Sequence, residues 1–115
     1  MIFTIFALII AAIHVYIAVL EMLLWDKPRG RRVFRTTAEF AAQTKMMALN
    51  QGLYNGFLAA GILVGLVLGN TQLTAFIVSC VLVAGVVGYL SGFKTALYVQ
   101  SIPAAIAISA LTVGL

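Results

Sequence analysis

His14 and Glu21 stand seven residues apart in an otherwise apolar stretch. At 100° per residue that spacing puts them within about 20° of each other on one helix face, two turns apart. Asn50, Gln51, Tyr54 and Asn55 form a second polar group, which falls in an arc of about 140° on a helix. Glu39 and Gln43 extend the Asn50 edge of that arc, and Gln100 adds an amide in the last apolar run. A charged side chain at the centre of a membrane helix costs about 2.5–3.5 kcal/mol on insertion scales, so such residues usually face the bundle interior and often carry function. As chemistry, Glu21 and His14 are an acid/base pair tuned by burial. Asn50, Gln51, Tyr54, Asn55 and Gln100 then orient a ligand. As structure, Glu21 bonds Asn50 or Gln51, His14 bonds Tyr54 or Asn55, and the group is glue between helices.

Other chemistries lack their residues. One cysteine and one histidine cannot form a zinc site, which takes three or four protein ligands, so no metal is expected. Cys80 lies in an apolar run and reads as a small buried hydrophobe; an intramolecular disulfide is impossible with a single cysteine. A serine nucleophile is poorly supported, because Ser79 lies far from the polar residues and no serine elbow motif is present. Met22, Met46 and Met47 are too few for a metal-binding methionine box, and no cofactor is expected.

The elements that must position these residues follow from composition. The 115 residues are 63% hydrophobic and only 9% charged, where roughly 25% charged is ordinary for a soluble domain. A membrane protein is expected, and at about 20 apolar residues per span four helices use nearly the whole chain. No room is left for a soluble catalytic domain, a nucleotide-binding module or a nucleic-acid-binding fold. The expected fold is an all-α, four-helix transmembrane bundle forming one domain. Its spans cover about residues 2–25, 45–68, 73–90 and 93–115, with a basic loop over residues 26–44. The first run lacks the basic start and small-residue cleavage site of a signal peptide, so it is expected as a retained helix ending at Trp25.

Local signals refine this outline. Asp26 to Gly30 reads as a turn broken by Pro28 and Gly30. Thr36 and Glu39 have capping-box spacing, which starts the second helix in water near Thr37. Six of the seven basic residues, Lys27, Arg29, Arg31, Arg32, Arg35 and Lys45, lie in one segment, and Lys94 is the seventh. Basic loops stay cytoplasmic, so both termini are expected on the non-cytoplasmic side of a multi-pass cell (inner) membrane protein. The same segment is expected against anionic lipid headgroups, which explains the net charge of +4 without a nucleic-acid partner. Pro103 predicts a kink at Val99, one turn earlier.

Counting from Trp25, Lys45 and Lys94 at 1.5 Å per residue, Glu21, Asn50 and Gln100 lie about 6, 7 and 9 Å deep. His14, Asn55 and Tyr54 lie at about 16, 15 and 13 Å. Two polar layers coincide, and the simplest arrangement is a polar pocket open to the cytoplasmic leaflet. Gly52/Gly56, Gly61/Gly65/Gly69 and Gly88/Gly92 have small-residue spacing. It serves packing inside the bundle or, less readily, a homo-oligomer through the glycine faces.

His14, Glu21-Met22-Leu23-Leu24-Trp25, the run Asn50-Gln51-Gly52-Leu53-Tyr54-Asn55-Gly56-Phe57-Leu58-Ala59-Ala60-Gly61, and Gln100 with Pro103-Ala104 carry a family pattern. Over nearly its whole length the chain resembles the small bacterial and fungal membrane proteins catalogued as domain of unknown function 1304. The resemblance implies a four-helix integral membrane protein and supplies no activity. The residues themselves favour binding, or acid/base conversion, of a small lipophilic molecule. The alternatives are a structural or assembly subunit of a membrane complex and a proton-coupled transporter acting as an oligomer. Transport is disfavoured by the basic loop, which fixes one orientation where small multidrug transporters resemble antiparallel pairs.

Overall fold

The computed structural model describes residues 1–115 and is all-helical. Five α-helices follow one another: α1 (Ile2–Leu23), α2 (Pro28–Phe34), α3 (Ala38–Val67), α4 (Thr71–Leu90) and α5 (Ile102–Thr112), with a π-helical turn at Leu97–Ser101 before α5. Two of them, α1 and α4, are long and apolar enough to cross a membrane, and Leu97–Thr112 is a shorter apolar helical stretch. The chain forms two compact units, Met1–Ile13 with Leu58–Leu115, and His14–Phe57.

The first unit is built on small residues. Phe3, Ala7, Ile10 and Ala11 of α1, Ile62 of α3, Val78 and Val81 of α4, and Ala104 and Ala107 of α5 make one buried cluster. Close approach replaces bulk at several points. Gly61 faces Ile77, Gly65 faces Thr74, Gly85 faces Ser101 and Gly88 faces Ala96, each too near to admit a further methyl group freely. The hydroxyls buried there are bonded: Thr74 Oγ1 donates to the Asn70 carbonyl at 3.2 Å and Ser101 Oγ to the Leu82 carbonyl at 3.0 Å. Gly69 and Gly92 act differently. With φ of +64° and +103° they occupy the left-handed region that ends α3 and α4. The next amide bonds back five residues, Asn70 to Gly65 and Phe93 to Gly88, the pattern of a glycine-terminated helix. The glycine triplet and the last pair thus divide between packing and turn formation.

Pro103 sits in the first turn of α5. Proline clashes with the carbonyl four residues earlier and offers it no amide. Here that carbonyl, of Val99, lies within the π-helical turn, where the Ile102 amide bonds back to Leu97. The expected kink takes this form, a π turn absorbing the proline.

The second unit holds the C-terminal half of α1, α2 and the N-terminal half of α3. The basic segment, expected to be a loop, contains α2. Pro28 opens that helix rather than breaking it, because the first helical position needs no amide donor. Gly30 packs against the Leu24 and Trp25 backbone, and the Trp25 and Phe34 rings lie 4.9 Å apart. Arg35 then takes a left-handed conformation, φ 56°, and turns the chain into α3. The start of α3 corrects the capping-box expectation by one residue. Thr37 Oγ1 accepts from the Phe40 amide at 3.1 Å, whereas the Thr36 hydroxyl is buried without a partner. The Thr36 amide already donates to Arg31 at 3.0 Å, so the Glu39 carboxylate has no donor to reach back to. At the far turn Asn70 caps α4 by accepting from Leu73, starting that helix two residues earlier than residue 73.

Candidate functional site

Two side-chain contacts set the register of α1 against α3. Trp25 Nε1 donates to Thr44 Oγ1 at 3.0 Å, and Lys45 Nζ pairs with Asp26 Oδ2 at 3.0 Å. The hydrogen bond from Lys45 holds the Asp26 carboxyl below the usual carboxylate range. Two turns further along α3, Gly52 lies against Ala18, Glu21 and Met22. A β-carbon there would stand 2.5 Å from Met22 Cγ, 3.0 Å from Glu21 Cβ and 3.2 Å from the Ala18 carbonyl. The missing side chain is what lets the two helices meet beside Glu21.

Glu21 is buried and its Oε1 accepts from Asn55 Nδ2 at 2.5 Å. The partner is Asn55, not Asn50 or Gln51, although the backbone register puts Glu21 nearer Asn50. Helical side chains lean toward their own N-terminus. In an antiparallel pair Glu21 therefore leans away from Trp25 and Asn55 leans toward Lys45, and they meet at the level of Gly52. Asn55 Nδ2 also donates to the Gln51 carbonyl at 3.2 Å. Both amide protons are thus engaged, and Oδ1 remains as a fixed acceptor.

His14 is fully buried on the same α1 face, with buried Ala18 between it and Glu21. Seven residues of helix separate their α-carbons by about 10 Å, and both side chains lean the same way. Direct proton transfer needs about 2.6–3.2 Å between heavy atoms, so at this spacing a proton passing between them needs an intervening group. They are two polar points on one buried stripe of α1.

The remaining residues divide. Asn50, Gln51 and Tyr54 are exposed on α3, away from its buried side, and Gln100 is half-buried in the π-helical turn of the other unit. The contacts thus join Glu21, Asn55 and Gly52, while Asn50, Gln51 and Tyr54 point outward. Gly52 had been legible only as a packing glycine. The signal for its role was its angle: three residues before Asn55, it lies about 60° from it on the helix. Arg29, which donates to the Tyr16 hydroxyl at 2.7 Å, had no signal beyond its charge. No group of three or more His, Cys, Asp or Glu side chains gathers to hold a metal. The site's chemistry is that of a carboxyl oriented by an amide.

No curated protein and no solved structure matches the chain. A family model does, from residue 8 to residue 112, and so spans both Glu21 and Asn55. The chain belongs to the family described as Protein of unknown function (DUF1304).

Proposed function

We propose that this is a four-span membrane protein that binds the polar group of a small lipophilic molecule at Glu21 and Asn55, with His14 as a second polar point. The observation that carries the reading is the buried Glu21 carboxyl, held by Asn55 where Gly52 clears the helix contact. A buried charge or acid is costly and is usually retained for a role. The ligand enters from the cytoplasmic leaflet. If the protein turns its ligand over, Glu21 is the acid/base group.

Topology supports this side of entry. The basic segment and Lys94 are cytoplasmic under the positive-inside rule, and the segment rests on anionic headgroups. Both ends of the chain lie on the non-cytoplasmic side, in keeping with the Met1 ammonium donating to the Leu115 carbonyl at 2.6 Å. The short last span, Leu97–Thr112, is accommodated by local thinning of the bilayer.

The test is to purify the protein with its native lipid, extract the lipophiles and identify them by mass spectrometry. A species enriched over bulk membrane lipid is expected in the wild type. Glu21→Gln, which keeps an acceptor for Asn55 but cannot ionise, and Glu21→Leu should each lower it several-fold. Profiles identical to bulk lipid in all three proteins would leave Glu21 and Asn55 as helix glue and overturn the reading.

A further inference from the structure

The side of α3 that turns away from Glu21 carries a pattern of its own. Gln43, Met47, Asn50, Tyr54 and Phe57 follow one another at spacings of four, three, four and three residues, and all five are exposed. That alternation is the seam of a left-handed coiled coil, where such residues insert between those of a facing helix. The seam is bare: Met47 is 72% exposed, Tyr54 61% and Phe57 54%. The Tyr54 and Phe57 rings on it pack edge to face with centroids 5.5 Å apart.

Exposed methionine and phenylalanine are ordinary in lipid, but exposed carboxamides are not. Asn50 lies about 7 Å beyond Lys45 along the helix, where hydrocarbon offers its donors and acceptor nothing. We infer that this face docks the same face of a second copy of the chain, forming a parallel α3–α3 dimer around Asn50. Three observations select a second copy. A carboxamide carries both donor and acceptor, so Asn50 is complementary to itself across a two-fold axis, where identical surfaces meet. The basic segment gives both copies one orientation in the membrane, which makes the helices parallel and sets Asn50 against Asn50. A single asparagine in such a seam is a known means of fixing register. Lys45, the nearest basic residue on α3, is neutralised by Asp26, so the copies do not repel there. Glu39 prolongs the seam only at its exposed start, where salt screens the paired carboxylates.

Most of the glycines, the other candidates for an oligomer face, are taken up elsewhere, and Gly56 lies open but off the seam. Gly52, Gly61, Gly65, Gly85 and Gly88 face side chains of their own chain. The inference depends on the membrane orientation proposed above and not on the ligand reading.

Single-cysteine variants in a Cys80→Ala background, reconstituted in lipid vesicles and oxidised, test it. Gln43→Cys, Met47→Cys and Tyr54→Cys should each form disulfide-linked dimers several-fold faster than Leu49→Cys and Leu53→Cys. Those two controls are 39% and 42% exposed but lie off the seam, so random collision would link them too. Asn50→Leu should weaken dimerisation, measured by energy transfer between labelled copies, by about 3- to 30-fold, the range for interhelical polar contacts in membranes. Equal linking at all five positions, or energy transfer no greater than that of a monomeric control at every protein-to-lipid ratio, would overturn the dimer. Crosslinks from the seam in native membranes that run only to a different protein, or only to lipid, would do the same.

Discussion

Replacing Gly52 by alanine tests the packing argument directly, and its cost can be worked from the distances. The new methyl would meet Met22 Cγ at 2.5 Å, Glu21 Cβ at 3.0 Å and the Ala18 carbonyl at 3.2 Å, where ordinary contact begins at 3.4 Å. Met22 is half-buried and can turn aside. The other two atoms belong rigidly to α1, so the helices must part by roughly half an ångström. Overpacking costs about 1–3 kcal/mol, and alanine returns about 1 kcal/mol in helix propensity, for a net loss of about 0–2 kcal/mol. The Glu21–Asn55 bond, 2.5 Å long, would lengthen to about 3 Å and survive as a hydrogen bond. Gly52→Val adds two further carbons with poorer helix propensity and should break it. Gly56→Ala is the control: nothing lies within 4 Å of its β-carbon position, so it should gain up to about 1 kcal/mol. Reversible unfolding by sodium dodecyl sulfate in mixed micelles should therefore rank Gly56→Ala above wild type, then Gly52→Ala, then Gly52→Val. Equal gains from the two alanine variants would refute the close approach of α1 and α3, and with it the geometry of the site.

Three further outcomes follow from the segment joining these helices. Thr37→Ala should cost about 0.5–2 kcal/mol, the loss of a helix cap. Thr36→Val should be neutral or stabilising, because it removes a buried hydroxyl that bonds nothing; the same unfolding assay reads both, and a larger loss at Thr36 would return the cap to that residue. The Asp26–Lys45 pair predicts a pH dependence. Because Lys45 holds the folded-state carboxyl below its usual range, the pair's contribution is complete above the ordinary aspartate value of about 3.9. It fades as pH falls through the lowered folded-state value. Stability measured from pH 7 downward should therefore show an acid-side loss that Asp26→Asn lacks, and parallel curves for the two proteins would dismiss the pair.

Helix positions were legible in the sequence because apolar runs and their breakers are local signals. The course of α1 and the disturbance before Pro103 follow from residue type, whereas Gly69 and Gly92, read from their spacing as packing glycines, prove to be turn glycines with positive φ. The short helix α2 was hidden because proline reads as a breaker unless it is known to stand first in a helix. The cap moved from Thr36 to Thr37 for a similar reason, since only the fold reveals that the Thr36 amide is already engaged by Arg31. Periodicity alone put His14 and Glu21 on one α1 face, and both are buried there.

Which residues are polar inside apolar helices was determined by the sequence alone, as was the face of α1 that bears His14 and Glu21. Which of them meet was decided by tertiary structure. Depth counting treats a side chain as a point at its α-carbon and so pairs Glu21 with Asn50. In the fold both helices tilt their side chains toward their own starts, which moves the meeting point to Asn55. Gly52 then lets the backbones close to the distance at which a carboxyl and an amide bond directly, while Asn50 turns outward. A sequence states the chemical identity of each group, but the direction in which a group points is a property of two helices packed together.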